Sequence, residues 1–191
     1  MPKTQYYCAS SLDGYIAESD DNLDWLTKYD GAYAGEGVEP MKGSYDRFYE
    51  EVGALVSGSR TYEWLLDHIS TSGGSWPYAG KPTWVLSTRE LPTPEGEGAD
   101  VRIVDARVED LHDEMVAAAG GRNLWVLGGG NVASQVAEAG LLDEVLVTVV
   151  PVVLGGGRPL FEHRLPGGPM QLMGTRAFDS GMVELRYAPM R

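Results

Sequence analysis

Residues 123–147 read NLWVLGGGNVASQVAEAGLLDEVLV: an apolar run, three glycines, an alanine-rich segment and a second apolar run. Strand, helix and strand in that order commit a chain to an α/β architecture, with helices packed on a sheet. The glycines sharpen the constraint. Glycine loses more freedom on ordering than any other residue, so three in a row at a strand-to-helix turn imply that the backbone there must be bare. Two readings stand at this point: a ligand lies against the turn, or the turn is simply tight.

The rest of the chain repeats the alternation. TQYYCASSL reads as a first strand, and MKGSYDRFYEEV as a helix with Ser44 as its N-cap. GALVSGSR is a strand breaking at glycine, followed by the helix RTYEWLLDHI. PTWVLST and VRIV are strands separated by a polar loop, and RVEDLHDEMVAAAGG is a helix closed by glycine. LDEVLVTVVPVVL reads as one long strand bent at Pro151. MQLMGTRAFDSGMVELRYAP reads as a hairpin turning around Asp179, Ser180 and Gly181. We expect one α/β domain over residues 1–191, its sheet ending in antiparallel strands.

Composition excludes several function classes. The net charge of −13 argues against a nucleic-acid-binding surface, although it leaves room for a phosphate ligand held by locally concentrated arginines. No apolar run has the length of a membrane span, and the N-terminus lacks the apolar stretch of a signal peptide, so a cytoplasmic protein is expected. Cys8, the single cysteine, reads as a small buried hydrophobe. His68, His112 and His163 are far apart and form no zinc spacing, so no metal is expected.

Three turns carry chemistry suited to phosphate. Asn131 starts a helix directly after Gly128, Gly129 and Gly130, and glycines at a helix N-terminus let amide donors approach an anion. The pattern Gly128-x-Gly130-x-x-Ala133 satisfies a dinucleotide-binding fingerprint but lies late in the chain, without an acidic residue about 20 positions on, and we reject that reading. Gly58, Ser59, Arg60 and Thr61 form a second strand-to-helix turn, with Thr61 read as its cap. Ser87, Thr88 and Arg89 leave a third strand together. Arg60 and Arg89 also read as ordinary surface ion-pair partners; similar chemistry at all three strand ends favours a ligand with several phosphates.

The succession SLDGYIA, GSRTYE, VLST, VLGGGNV and PVVLGGGRPLF resembles the dihydrofolate-reductase-like superfamily, and most closely the reductase domain of the bifunctional riboflavin-biosynthesis deaminase-reductase. The resemblance spans roughly residues 3 to 188. It implies a three-layer fold: a central, mostly parallel sheet with antiparallel C-terminal strands and flanking helices. It also implies NADPH as cofactor and hydride transfer to a C=N or C=O carbon of a small heterocyclic or ribosylamino-pyrimidine-like substrate.

On that likeness Arg60 and Thr61 meet the pyrophosphate, with Gly58 and Ser59 also in the cofactor site, and Ser87, Thr88 and Arg89 meet the adenosine 2′-phosphate. Leu127, Gly128, Gly129, Gly130, Asn131 and Val132 lie against the diphosphate and nicotinamide ribose, while Ala9 and Ile16 border the nicotinamide. Asp13 is the candidate proton donor or loop-ordering residue; Asp13-Gly14 equally reads as a plain turn. Asp46, Tyr49 and Trp64 are candidate substrate contacts, with Glu50, Tyr45 and Phe48 beside them, although aromatics at helical spacing also read as core. The zinc deaminase signatures H-x-E and P-C-x-x-C are absent, and an acidic segment, AESDDNLDWLTKYDGAYAGEGVEPMKG, stands where substrate would approach. Both departures leave the substrate open. Alternative readings are a pterin reductase of the dihydrofolate type and a cofactor-binding protein without turnover. The likeness further implies a homodimer paired through the late strands.

Overall fold

The structure, a computed structural model, describes residues 1–29, 43–94 and 96–190. In chain order its elements are β1 (Thr4–Ser11), β2 (Tyr15–Ala17), α1 (Asp24–Thr27), α2 (Ser44–Glu51), β3 (Val52–Gly58), α3 (Ser59–Ser72), β4 (Thr83–Leu86) and β5 (Val101–Val104). Next come α4 (Val108–Ala118), β6 (Asn123–Gly128), α5 (Gly130–Glu138), β7 (Glu144–Val150), β8 (Arg158–Pro159), β9 (Met170–Ala177) and β10 (Val183–Pro189).

Eight strands form one sheet in the order β5-β4-β3-β6-β1-β7-β10-β9. From β5 to β7 all neighbours are parallel, while β10 and β9 join antiparallel. The strand–helix–strand unit of residues 123–147 therefore spans a gap: β6 and β7 flank β1, and α5 crosses over it. Alternation along the strands sends Tyr6, Ala54, Val56 and Val126 to the face covered by Val108 and Met115 of α4 and Val132, Ala133 and Val136 of α5. Leu55, Val85 and Trp125 face Tyr62 and Leu65 of α3, with Trp76 and Tyr78 beside them. The result is three layers, with both faces of the parallel strands covered.

Three expectations are corrected, and two features are new. β7 stops at Val150, because Pro151 has no N–H with which to continue the ladder. Ser44 does not cap α2: Gly43 occupies that position in the left-handed region, and the Ser44 hydroxyl accepts a hydrogen bond from Arg176 Nη1 at 3.1 Å. Thr61 does not cap α3, which begins two residues earlier after an extended Gly58. The small antiparallel pair β2–β8 and the short α1 are not anticipated by the sequence pattern at all. The C-terminal hairpin forms as expected, with Phe178 N–H donating to Met182 O and Gly181 N–H to Phe178 O across its turn. Of the acidic segment, residues 30–42 lie outside the described residues; its first part packs Trp25, Leu26 and Tyr29 against Val150, Phe178 and Met182. No helix among the described residues is long and apolar enough to cross a membrane.

Candidate active site

Because β3, β6, β1 and β7 are parallel, their C-terminal ends share one edge of the sheet, where open α/β sheets carry their ligands. A cavity of about 900 Å³ opens there. Its mouth is built by the turns that lead into two helices. Gly58 to Thr61 lead into α3, and Gly128 to Val132 lead into α5. These turns touch each other: a Cβ built on Gly58 would lie 3.3 Å from Val132 Cγ2, and one on Gly128 would lie 3.2 Å from Thr61 Oγ1. No side chain caps either helix, so both present first-turn amides without an intrahelical acceptor toward the same space. Arg60, exposed at this mouth, adds a positive charge.

The glycines of the α5 turn have reasons within the fold itself. Gly129 has φ +86°, in the left-handed region. At Gly130 a Cβ would lie 2.4 Å from Pro159 O, so the close passage of residues 159–160 excludes any side chain. Bare backbone at these positions is thus required by the turn, and it also leaves the amides reachable.

Over the mouth lies a flap formed by β2 and the second glycine run. Asp13 ties it down: its carboxylate accepts hydrogen bonds from Ser11 Oγ at 2.7 Å, Leu154 N–H at 3.1 Å and Gly155 N–H at 2.8 Å. The Ser11 hydroxyl, aided by these two amides, holds the Asp13 carboxyl below its ordinary range. Arg158 donates to Asp21 (2.6 Å) and to Ser19 O (3.1 Å), closing the same flap from its other end. Asn131 Nδ2 donates to Glu162 Oε2 at 2.8 Å.

The inner wall is aromatic. Tyr7, Tyr45, Trp64, Tyr78 and Trp125 line it, with Leu23, Leu26 and Met182 opposite. Cys8 also lines the cavity, and burial pushes its thiol up to about 12, which leaves it without thiolate character at neutral pH.

Of the residues singled out from sequence, Ala9, Ile16, Gly58, Ser59, Arg60, Thr61, Leu127, Gly128, Gly129, Gly130, Asn131, Val132 and Trp64 are brought together in this cavity. Others are not. Asp13 is spent on the flap and does not line the cavity. Asp46 is exposed on the outer face of α2, and Glu50 with it, because the helix turns Phe48 inward against Tyr7. Tyr49 packs over Lys81 and Tyr45 outside the lining. Ser87 and Arg89 close a local turn through Ser87 Oγ, and Arg89 makes a bidentate pair with Glu63 at 2.8 and 2.6 Å; with Thr88 they lie beyond the lining, which ends at Leu86. The ion-pair reading of Arg89 is therefore the one its geometry realises. Sequence reasoning missed Tyr7, Trp125, Thr148 and Arg158 as lining residues. The alternation of QYYCAS carried a signal for Tyr7, since it shares a strand face with Ala9. Among the described residues no group of three or more His, Cys, Asp or Glu side chains is placed to hold a metal ion.

Comparison with known proteins agrees with this architecture. A family model described as the RibD C-terminal domain matches residues 69–184. An uncharacterized Bacillus subtilis (strain 168) protein, YwjB, is 33% identical, with 97% of each chain covered. A Shewanella sp. PV-4 structure, assigned provisionally to riboflavin biosynthesis, superposes with a TM-score of 0.75 at 29% identity over 99% of both chains. A dihydrofolate reductase from Enterococcus faecalis, solved in complex with NADP(H), superposes with a TM-score of 0.58 at 17% identity, covering 99% of this chain and 97% of that one. At that identity the likeness shows the fold alone, and the fold is dihydrofolate-reductase-like.

Proposed function

The chain belongs to the RibD C-terminal domain family, and from that premise we propose that it is an NADPH-dependent reductase acting on a C=N or C=O carbon of a small heterocyclic substrate of the ribosylamino-pyrimidine kind. The observation that carries this reading is the convergence of two uncapped helix N-termini on one cavity beside Arg60. Two rows of amides and a guanidinium suit a diphosphate. The bound cofactor would supply the hydride; the protein would supply position and a dry, aromatic-walled site. Ala9 and Ile16 would border the nicotinamide, and Trp64, Tyr45 and Trp125 the substrate. Reduction by NADPH also carries a cytoplasmic location, where that reductant is maintained. The reading without turnover has one observation on its side: no unpaired carboxylate lines the cavity among the described residues, since Asp21 is tied to Arg158 and Glu162 to Asn131.

We keep Arg89 as reader of the 2′-phosphate, with the addition that it must exchange Glu63 for the ligand. The test is fluorescence titration with NADPH and NADH, followed by a screen for NADPH oxidation with pterin, aminopyrimidine-ribose phosphate and imine substrates. Arg89→Ala is expected to weaken NADPH by about tenfold relative to NADH, the worth of one charge-assisted contact. Glu63→Gln is expected to tighten NADPH selectively. Parallel changes for both nucleotides would remove Arg89 from the site, and no binding of either would remove the reductase reading.

We further propose a homodimer joined along β9. The apolar run of β7 does not call for a partner, since β1 and β10 flank it and it is buried within one chain. The edge strand β9 is open instead, with Leu172 and Met173 each 52% exposed. A monomeric mass by light scattering at micromolar concentration would overturn this.

A further inference from the structure

Hydride addition to a C=N carbon leaves the nitrogen in need of a proton, and the described carboxylates around the cavity are engaged elsewhere. Resting on the reductase reading above, we propose that the Tyr7 phenol is the proton donor and the polar contact of the substrate nitrogen, held in place by a row of Thr148, Glu184 and Arg176 on neighbouring strands.

The row is set by register. Ala9 on β1 pairs with Thr148 on β7, Thr148 with Glu184 on β10, and Glu184 with Arg176 on β9. Directly paired residues project to the same face, so these side chains run from the outer edge of the sheet into the cavity. Arg176 Nη1 lies 3.7 Å from Glu184 Oε1 and donates to Ser44 Oγ at 3.1 Å, which fixes the outer end. At the inner end stands Tyr7, two residues before Ala9 on the same face and about 7 Å away along the strand. Its ring is clamped by Phe48 at 4.4 Å and Trp125 at 6.3 Å between centroids.

Thr148 is the telling member. It is 3% exposed, lies beside the Tyr7 phenol and lines the cavity, yet its hydroxyl has no hydrogen-bond partner of good geometry among the described residues. A buried hydroxyl left unpaired is costly. Near the phenol and paired in register with Glu184, it can donate to Tyr7 Oη when that oxygen becomes a phenolate. Burial raises the Tyr7 phenol above its ordinary value; Thr148 and the Arg176 charge oppose this while the Glu184 charge adds to it, so the phenol holds its proton at neutral pH until a stronger base forms in front of it. Tyr45, by contrast, is 42% exposed and stacks on Tyr49.

In the step itself a C–H bond forms at the imine carbon with the hydride of the reduced nicotinamide. The C=N π pair withdraws onto nitrogen, and nitrogen takes the proton of Tyr7 Oη as that O–H bond breaks. The imine would be reduced to an amine by the two electrons that the bound cofactor supplies, and water would reprotonate the phenolate.

The test compares 3,4-dihydroisoquinoline, whose nitrogen must be protonated, with its N-methyl iminium, whose nitrogen needs no proton. Tyr7→Phe keeps the ring between Phe48 and Trp125. In the NADP⁺ complex, where nothing turns over, it should weaken binding of the imine by about tenfold and leave the iminium unchanged. In single turnover with NADPH it should slow the imine by about a hundredfold and spare the iminium. Thr148→Val should slow the imine alone, and Thr148→Ser should restore it. Equal effects on both probes, or on neither, overturn the role of Tyr7 and leave the reductase reading standing. A wild-type protein that binds NADPH but reduces neither probe, nor pterin nor aminopyrimidine-ribose phosphate, overturns both.

Discussion

The pentapeptide Val-Leu-Gly-Gly-Gly occurs twice, at residues 126–130 and 153–157. The first copy ends a buried parallel strand and opens α5, so its glycines face a helix N-terminus and a cavity. The second leaves β7 after Pro151 and enters β8, a two-residue strand paired with β2. Its amides at Leu154 and Gly155 do not face an open site; the Asp13 carboxylate takes them. The same five residues thus leave amides open toward a cavity in one place and taken by a carboxylate in the other. The residues directly after each copy decide between these fates. Asn-Val-Ala-Ser continues into a helix whose dipole adds to the free amides, whereas in Arg-Pro the proline ring disfavours the helical region for the residue before it.

The largest expected effect separates a packed glycine of the first copy from an open one of the second. In Gly130→Ala the new Cβ would meet Pro159 O at 2.4 Å and Leu160 O at 3.1 Å. That segment cannot retreat freely, since Leu160 N–H donates to Gly14 O and Leu160 O accepts from Tyr6 Oη. A loss of about 3 kcal/mol is expected, in the range of overpacked cores. Gly156→Ala meets nothing within 4 Å and has no positive φ, so its melting transition should stay within about 0.5 kcal/mol of the parent. Thermal or urea unfolding of the pair measures the difference; equal stabilities would mean that the flap yields and that Gly130 is bare for the ligand alone.

The two copies also mark how far a sequence can be read. Strands and helices such as Asn123–Gly128 and Ser59–Ser72 are legible because periodicity and glycine punctuation are local. The two helix starts at the cavity are legible for the same reason. β2 and β8 are not: each is too short to show a period and exists only through pairing between residues 15–17 and 158–159. Asp13 reads as a candidate acid because its Leu154 and Gly155 partners lie 141 and 142 positions away. Arg89 reads as a phosphate ligand because the opposing Glu63 is brought to it only when α3 packs beside β4. Thr148 is invisible, since nothing in TVVPVV tells that its hydroxyl is buried without a partner.

A second pair of variants strains the backbone in both copies and touches the ligand side in one. Gly129 has φ +86° and Gly155 has φ +72°, so alanine is strained at either. Neither Cβ collides: the nearest atom to that of Gly129 is Thr61 Oγ1 at 3.8 Å, and Gly155 has nothing within 4 Å. The Gly129 methyl, however, points into the gap between the two helix starts. Gly129→Ala is expected to lower NADPH affinity by about a hundredfold while unfolding remains cooperative, and Gly155→Ala should lose stability and keep its affinity. Calorimetric titration of both folded variants reads this directly, and full NADPH affinity in Gly129→Ala would show that the cofactor is placed wrongly.

The smallest effect concerns the amides that the carboxylate takes. Asp13→Ala removes the acceptor of the Leu154 and Gly155 amides without touching the cavity lining. Hydrogen exchange at those amides should accelerate, while NADPH affinity changes little. Protonation should mimic the substitution. The folded pKa of Asp13 is held below its ordinary value by Ser11 and the two amides, so the tie is complete at neutral pH. It is lost only as pH falls through the lower, folded value. After correction for intrinsic rates, protection at residues 154 and 155 should therefore fall in acid in the parent and be flat with pH in Asp13→Ala. Asp13→Asn, which keeps one carbonyl acceptor, should lie between them. Protection that survives in Asp13→Ala would mean that the second glycine run is held by β8 pairing with β2 and not by the carboxylate, and the contrast between open and taken amides would then rest on the helix alone.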